Sequence, residues 1–276
     1  MIRRLSLGLV SFFMLLSCAS SSKSTSVKKS EGESFSVNLG DNNIVEMVWV
    51  PKGNFEMGSH EGDAVKHKDT PVHTVKISKG FWLSKYEITQ KQWLWFMKTT
   101  VEEQQKKQYK KWTIRGVGDS IPMYFISWEE SIGFCNKLNE IEKGNLPEGY
   151  KYSLPTEAQW EYTCKTFAKN KPLDAIAWYR NNSDKKVHPI GRKHPNRLGI
   201  YDLRGNLSEW CYDWFEEYSK EGVKDPVGPP KGEKKIVRGG SWFGPALNTK
   251  ATTRFQDPPK NGYSSIGLRL ALRPIH

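Results

Sequence analysis

The chain has 276 residues, 37% of them hydrophobic and 12% aromatic, with eleven tryptophans and a net charge of +12. That length allows one large domain or two small ones, and the even mixing of charged and apolar residues excludes a disordered chain. The positive charge is spread over several loops without a zinc-finger or RNA-binding motif, so no nucleic acid is expected and a solvated surface facing anionic head groups or acidic partners is.

Arg3 and Arg4 precede an apolar run at residues 5–16 that is too short to span a bilayer and reads as an export signal. It ends in Leu15-Leu16-Ser17-Cys18, which resembles the lipobox of bacterial lipoproteins. The resemblance implies cleavage before Cys18 and acylation of its thiol. Two or more acyl chains would hold the protein stably on the exported side of a bacterial envelope membrane. Residues 1–17 are therefore expected to be the signal peptide, residues 18–40 the lipidated cysteine and a flexible Ser/Lys-rich linker, and residues 41–276 the folded domain.

The 45–50 run alternates like a strand and is stopped by Pro51 and Gly53. Residues 55–58 lead into a polar loop at 60–71, followed by strands at 72–77 and 81–83. Thr89 reads as a helix N-cap, with Trp93, Phe96 and Met97 on one face. Residues 102–111 are charged throughout and read as an exposed helical end. Ser127 with Glu130 forms a capping box that opens a helix through about residue 141, and Thr156 with Gln159 opens another carrying Trp160 and Cys164. Beyond Trp178 the chain is punctuated by Asn, Gly and Pro, with short strands expected at 236–238 and 268–272. No βαβ alternation is visible, which excludes a doubly wound sheet.

Cys135, Cys164 and Cys211 are an odd set whose spacing is not that of a zinc knuckle. Cys135 and Cys164 follow Trp128 and Trp160 at helical spacing and read as small buried hydrophobes.

Several segments line up in order: Val48-Trp49-Val50-Pro51 with Phe55-Glu56-Met57-Gly58; Tyr86-Glu87-Ile88-Thr89; Ser127-Trp128-Glu129; Leu154-Pro155-Thr156-Glu157-Ala158-Gln159-Trp160-Glu161-Tyr162; Gly199 through Trp210; Arg238-Gly239-Gly240-Ser241-Trp242; and Gly267-Leu268-Arg269. Together they resemble the formylglycine-generating enzyme, or sulfatase-modifying factor, family over nearly the whole mature chain. The resemblance implies a single α+β domain related to C-type lectins, with little regular secondary structure. It also implies oxidation of a substrate cysteine by copper held on two cysteines shortly after the Arg-Gly-Gly-Ser segment. No cysteine follows Ser241, and Gly244 stands near where the first would be. Cu(I) needs soft thiolates, so copper is not expected.

The same resemblance implies a structural calcium at the 202–209 turn, held by the carbonyls of Asp202, Gly205 and Leu207 and the carboxylate of Glu209. Ser208 stands where the family has a large aromatic near its active groove. Arg238, Ser241 and Arg269 could bind a carboxylate or a peptide backbone, although the two arginines could equally anchor C-terminal strands. Trp242, Phe243, Phe255 and Tyr263 are candidate aromatic anchors in a Gly/Pro/Asn-rich loop region at 243–265. The expectation is a membrane-anchored, non-catalytic protein that binds an envelope protein or glycan through this region. The alternative is an oxidase of the same type with altered metal ligands.

Overall fold

The computed structural model describes residues 29–60, 68–108 and 112–275. The expected signal peptide and Cys18 lie outside these residues. Along the chain come β1 (Ser34–Asn38), β2 (Ile44–Val50), β3 (Gly53–Met57), β4 (His73–Ile77), β5 (Phe81–Ser84), α1 (Gln90–Met97), α2 (Val101–Gln108) and α3 (Trp128–Ile141). They are followed by β6 (Tyr150–Ser153), α4 (Glu157–Thr166), α5 (Leu173–Ile176), β7 (Ser208–Trp214), β8 (Val223–Lys224) and β9 (Lys235–Arg238). A 3-10 turn (Ala246–Thr249), β10 (Arg254–Asp257), β11 (Ile266–Gly267) and β12 (Ala271–Pro274) complete the order. This is the α+β domain the sequence pointed to. The strands form a five-stranded antiparallel sheet β1-β2-β5-β12-β6, a four-stranded sheet β10-β9-β7-β11 and a three-stranded sheet β3-β4-β8.

Side chains alternate across a strand, and here the alternation divides the core in two. On β2, Val45 and Met47 join one apolar cluster while Val48 and Val50 join the other. On β5 Trp82 goes one way and Phe81 and Leu83 the other; on β7 Trp210 and Cys211 separate likewise, as do Val237 and Ile236 on β9. The two larger sheets are thus covered on both faces. Both expected capping boxes are present, at Ser127 and Thr156, and the expected N-cap Thr89 proves to be a third, with Gln92, each with reciprocal side-chain and backbone bonds.

Two expectations need correction. The folded part begins inside the expected 18–40 linker, because β1 pairs with β2 from Ser34 to Asn38. Its serines alternate with Phe35, which meets Trp82 edge-on at 4.7 Å, and with buried Val37. The single strand expected at 268–272 is broken. Gly267 pairs with β7 and Ala271 with β5 and β6, and Leu268 to Leu270 carry the chain from one sheet to the other. The crossing is held where Ser84 N–H donates to the Leu270 carbonyl (2.8 Å) and Ile88 N–H to the Leu268 carbonyl (3.0 Å).

Helix α4 is buried from Glu157 to Cys164 although its composition is polar. Burying a carboxylate is tolerated only when it is paired. Glu157 Oε1 accepts from Arg238 Nη1 (2.9 Å) and Arg254 Nε (2.6 Å), and its Oε2 accepts from Arg254 Nη2 (2.8 Å). Glu161 accepts from Arg238 Nη2 and from the Gly58 amide at 2.8 Å. The two guanidinium charges hold the Glu157 carboxyl below its ordinary range against the opposing effect of burial. Close by, burial and then the Glu157 charge push the Asp213 carboxyl up to about 7.

Two outcomes follow. Glu157→Gln takes the paired carboxylate from buried Arg254 and one of two from Arg238, and should cost about 3–5 kcal/mol in urea unfolding, whereas Lys91→Gln, from the exposed 3.7 Å pair with Asp119, should leave the midpoint unchanged. Asp213 favours the fold while protonated, so its contribution is complete below 3.8 and is lost as pH rises through about 7. Asp213→Asn should therefore gain stability relative to the parent chain between pH 4 and pH 8; a constant difference would remove this assignment.

Candidate functional site

Strands β9 and β10 pair antiparallel with Arg238 opposite Arg254, and the chain between them forms a loop closed at its base by the shared Glu157. The loop folds tightly onto itself. Gly240 has a positive φ of 71°, and a Cβ there would lie 2.5 Å from the Asn248 carbonyl oxygen, so only glycine allows this approach. Arg180 fixes the loop tip: its backbone N–H donates to the Gly244 carbonyl and its Nε to the Phe243 carbonyl, both at 2.9 Å.

The result is a cleft of about 150 Å³. Ser241, Phe243, Gly244 and Asn248 line it from the loop, Phe255 and Asp257 from β10, Ser208 from β7 and Ser265 from the segment before β11. Phe243 is 48% exposed. Burial pushes the Asp257 carboxyl up, against a hydrogen bond from Tyr263. The cleft thus offers two aromatic faces, hydroxyl and amide groups and one half-buried carboxyl.

Of the expected ligand-binding residues, the structure brings Ser241, Phe243 and Phe255 together here. Trp242 and Tyr263 are not among the lining residues. Trp242 is 7% exposed, donates its indole N–H to the Ser264 carbonyl (3.0 Å) and belongs to the core beneath. Tyr263 lies 6.0 Å ring to ring from Trp112. Arg238 and Arg269 are corrected outright: both are 0% exposed and committed to buried carboxylates, so they anchor strands and do not meet a ligand. The sequence reading missed Trp112, which is 40% exposed beside Tyr263. It follows a charged run with no periodic pattern to single it out.

The donor set does not fit the metals of the family resemblance. The cleft has no thiol. Cys211 is on β7 but faces the second apolar cluster, 0% exposed, and burial pushes its thiol well above the ordinary value. Cys135 and Cys164 are likewise buried and unpaired, with thiols pushed up to about 12 by burial. Hydroxyls and an amide cannot substitute for thiolates on Cu(I).

At the 202–209 turn the one side-chain ligand expected for calcium, the Glu209 carboxylate, is committed elsewhere. Glu209 Oε1 accepts from Arg269 Nε (2.9 Å) and Nη2 (2.7 Å); its Oε2 accepts from Trp160 Nε1 (2.8 Å). Asp202 Oδ2 accepts from the Gly191 amide at 2.6 Å. Gly205 holds a positive φ of 78° with its Cα packed against the Trp178 backbone, where a Cβ would come within 2.2 Å of the carbonyl oxygen. Beside them, the Glu87 carboxyl bonds the Leu207 amide and the Asn206 side chain, both at 3.0 Å, and burial pushes it well above its ordinary range. Among the described residues no group of three or more His, Cys, Asp and Glu is placed to hold an ion. A calcium ion on Glu209 would have to displace a buried guanidinium, so this carboxylate does not fit one, and the expected carbonyls of Asp202, Gly205 and Leu207 are left without their acidic partner.

Residues 36–274 match the Sulfatase-modifying factor enzyme 1-like domain, and the chain belongs to that family. It is similar to Chaperone protein LppX of Paenibacillus barcinonensis, 25% identical over 268 residues that cover 78% of this chain and 87% of that protein. It is also similar to the formylglycine-generating enzyme of Bos taurus, 23% identical with 82% and 74% covered. Among solved structures, Treponema denticola variable protein 1 superposes with a TM-score of 0.73 at 26% identity, covering 87% of this chain and 99% of that one. No helix among the described residues is long and apolar enough to cross a membrane.

Millimolar calcium should leave the melting temperature unchanged, since a site that binds only the folded chain would raise it by mass action. A calcium-dependent rise abolished by Glu209→Gln would reverse the conclusion about this turn.

Proposed function

We propose that this chain is a lipid-anchored, non-catalytic member of the sulfatase-modifying factor family that captures a segment of an exported envelope protein in the cleft between β7, β9 and β10. The observation that carries this reading is the composition of the cleft. It keeps the aromatic walls and polar groups suited to an extended segment while Gly244 and Asn248 occupy the loop and no thiol reaches it. Phe243 is the anchor, because it is large, exposed and held from behind by Arg180. The similarity to a protein named as a chaperone supports a protein ligand. The Leu15-Leu16-Ser17-Cys18 run supports anchoring through Cys18. An oxidase with altered ligands has less support, since a soft metal would need Cys211 to cross from the far face of β7.

A photoreactive residue at position 243 of the native lipoprotein should trap a discrete envelope protein in cells, and adding Phe255→Ser to that photoreactive chain should abolish the trapping while leaving the circular dichroism spectrum intact. Trapping of a glycan and no protein would replace the ligand class. Conversion of a peptide cysteine to an aldehyde by the copper-supplied protein would end the non-catalytic reading.

A further inference from the structure

A second cavity, of about 160 Å³, lies between the end of α4, the 194–204 segment and Ala251. Its floor is apolar: Ile200 and Leu203 are 1% and 5% exposed, and Cys164 turns a thiol into the wall at 5% exposure. Half-buried Ile176 completes that surface. Its rim is cationic. Among the described residues exposed Lys169 has no ion-pair partner, and Arg204 uses Nε on the Thr249 carbonyl (2.7 Å) with no hydrogen bond from its two Nη groups. Lys165, also on the rim, turns its ammonium to the Glu56 and Gly58 carbonyls and to Glu161. The one acid on the wall is Asp202, which is 3% exposed and already accepts the Gly191 amide.

An apolar cavity of roughly 150 Å³ accepts a single benzene-sized ring. A ring that size would fill the floor and bring a substituent to the mouth, where the free charges are positive. We propose that this cavity binds a small organic carboxylate, with one aryl ring or a short alkyl chain against Ile176, Ile200, Leu203 and Cys164 and its carboxylate on Arg204 and Lys169. Arg204 supplies the planar fork that carboxylates favour, and Lys169 supplies a mobile point charge. The site is separate from the aromatic cleft and does not depend on the function proposed for it.

The test is a calorimetric titration of the full chain with 4-methylbenzoate and with 4-methylbenzamide, its neutral counterpart of the same shape. The carboxylate should bind saturably and at least about tenfold more tightly, the ratio expected from one charge-assisted hydrogen bond. Lys169→Gln, at an exposed position that cannot endanger folding, should narrow that ratio, and Arg204→Gln should narrow it further. Ala251→Phe should fill the cavity and abolish binding of both. Equal affinity for the two compounds, carboxylate binding that survives Ala251→Phe, or no saturable binding up to the solubility limit would each overturn the proposal.

Discussion

Glu157 accepts two guanidinium groups at once, and the arrangement of the C-terminal third depends on it. It sits at the first turn of α4, just after the Thr156 cap, where the helix end favours negative charge. From there it reaches Arg238 at the end of β9 and Arg254 at the start of β10. One carboxylate thereby fixes where the four-stranded sheet stands relative to the helix. Glu209 with Arg269 performs the same role one strand away, tying β7 to the chain that crosses between the sheets. Each pair is buried, and a buried pair is a weak source of net stability but a strong penalty when broken. The fold is held to one geometry by these pairs more than it is deepened by them.

That distinction explains how the cleft relates to its supports. The residues that face a ligand and the residues that hold the strands are neighbours in sequence but point in opposite directions. Arg238 turns into α4 while Ser241 and Phe243, a few positions on, line the cleft. A short motif therefore carries two jobs, and the structural one falls to the charged residue. The absence of thiols changes only the ligand-facing part.

How much was legible in the sequence varied with the kind of signal. Capping boxes at Ser127 and Thr156 and the N-cap at Thr89 have strict side-chain spacing and were read correctly, while the reciprocal bond from Gln92 at Thr89 was not. Strand β7, Ser208-Glu209-Trp210-Cys211-Tyr212-Asp213-Trp214, was not anticipated, because both faces are buried and one carries Glu209, Cys211 and Asp213. Its alternation is of charge pairing with size, not of polar with apolar, and the partners that make it work lie sixty or more residues away in Arg269 or on other elements. The same limit misplaced Arg238 and Arg269, whose carboxylate partners are on α4 and β7. For the cleft, Phe243 and Phe255 were legible as aromatic residues in a loop-rich stretch, but Trp242, equally aromatic, is core. Only the three-dimensional path of the loop separates them.

The loop between Arg238 and Arg254 is closed at its base by an ion cluster that uses none of the loop's own side chains and touches it only at the Ala251 and Thr252 carbonyls. The free energy of closing a loop grows only with the logarithm of its length, about 0.6 kcal/mol per doubling. A clamp of this kind therefore makes the intervening chain replaceable: insertions and wholesale changes at the tip leave the two strands paired. The domain in this sense separates a fixed base from a replaceable tip: loop length and content can change while the three clamp residues, Glu157, Arg238 and Arg254, stay as they are.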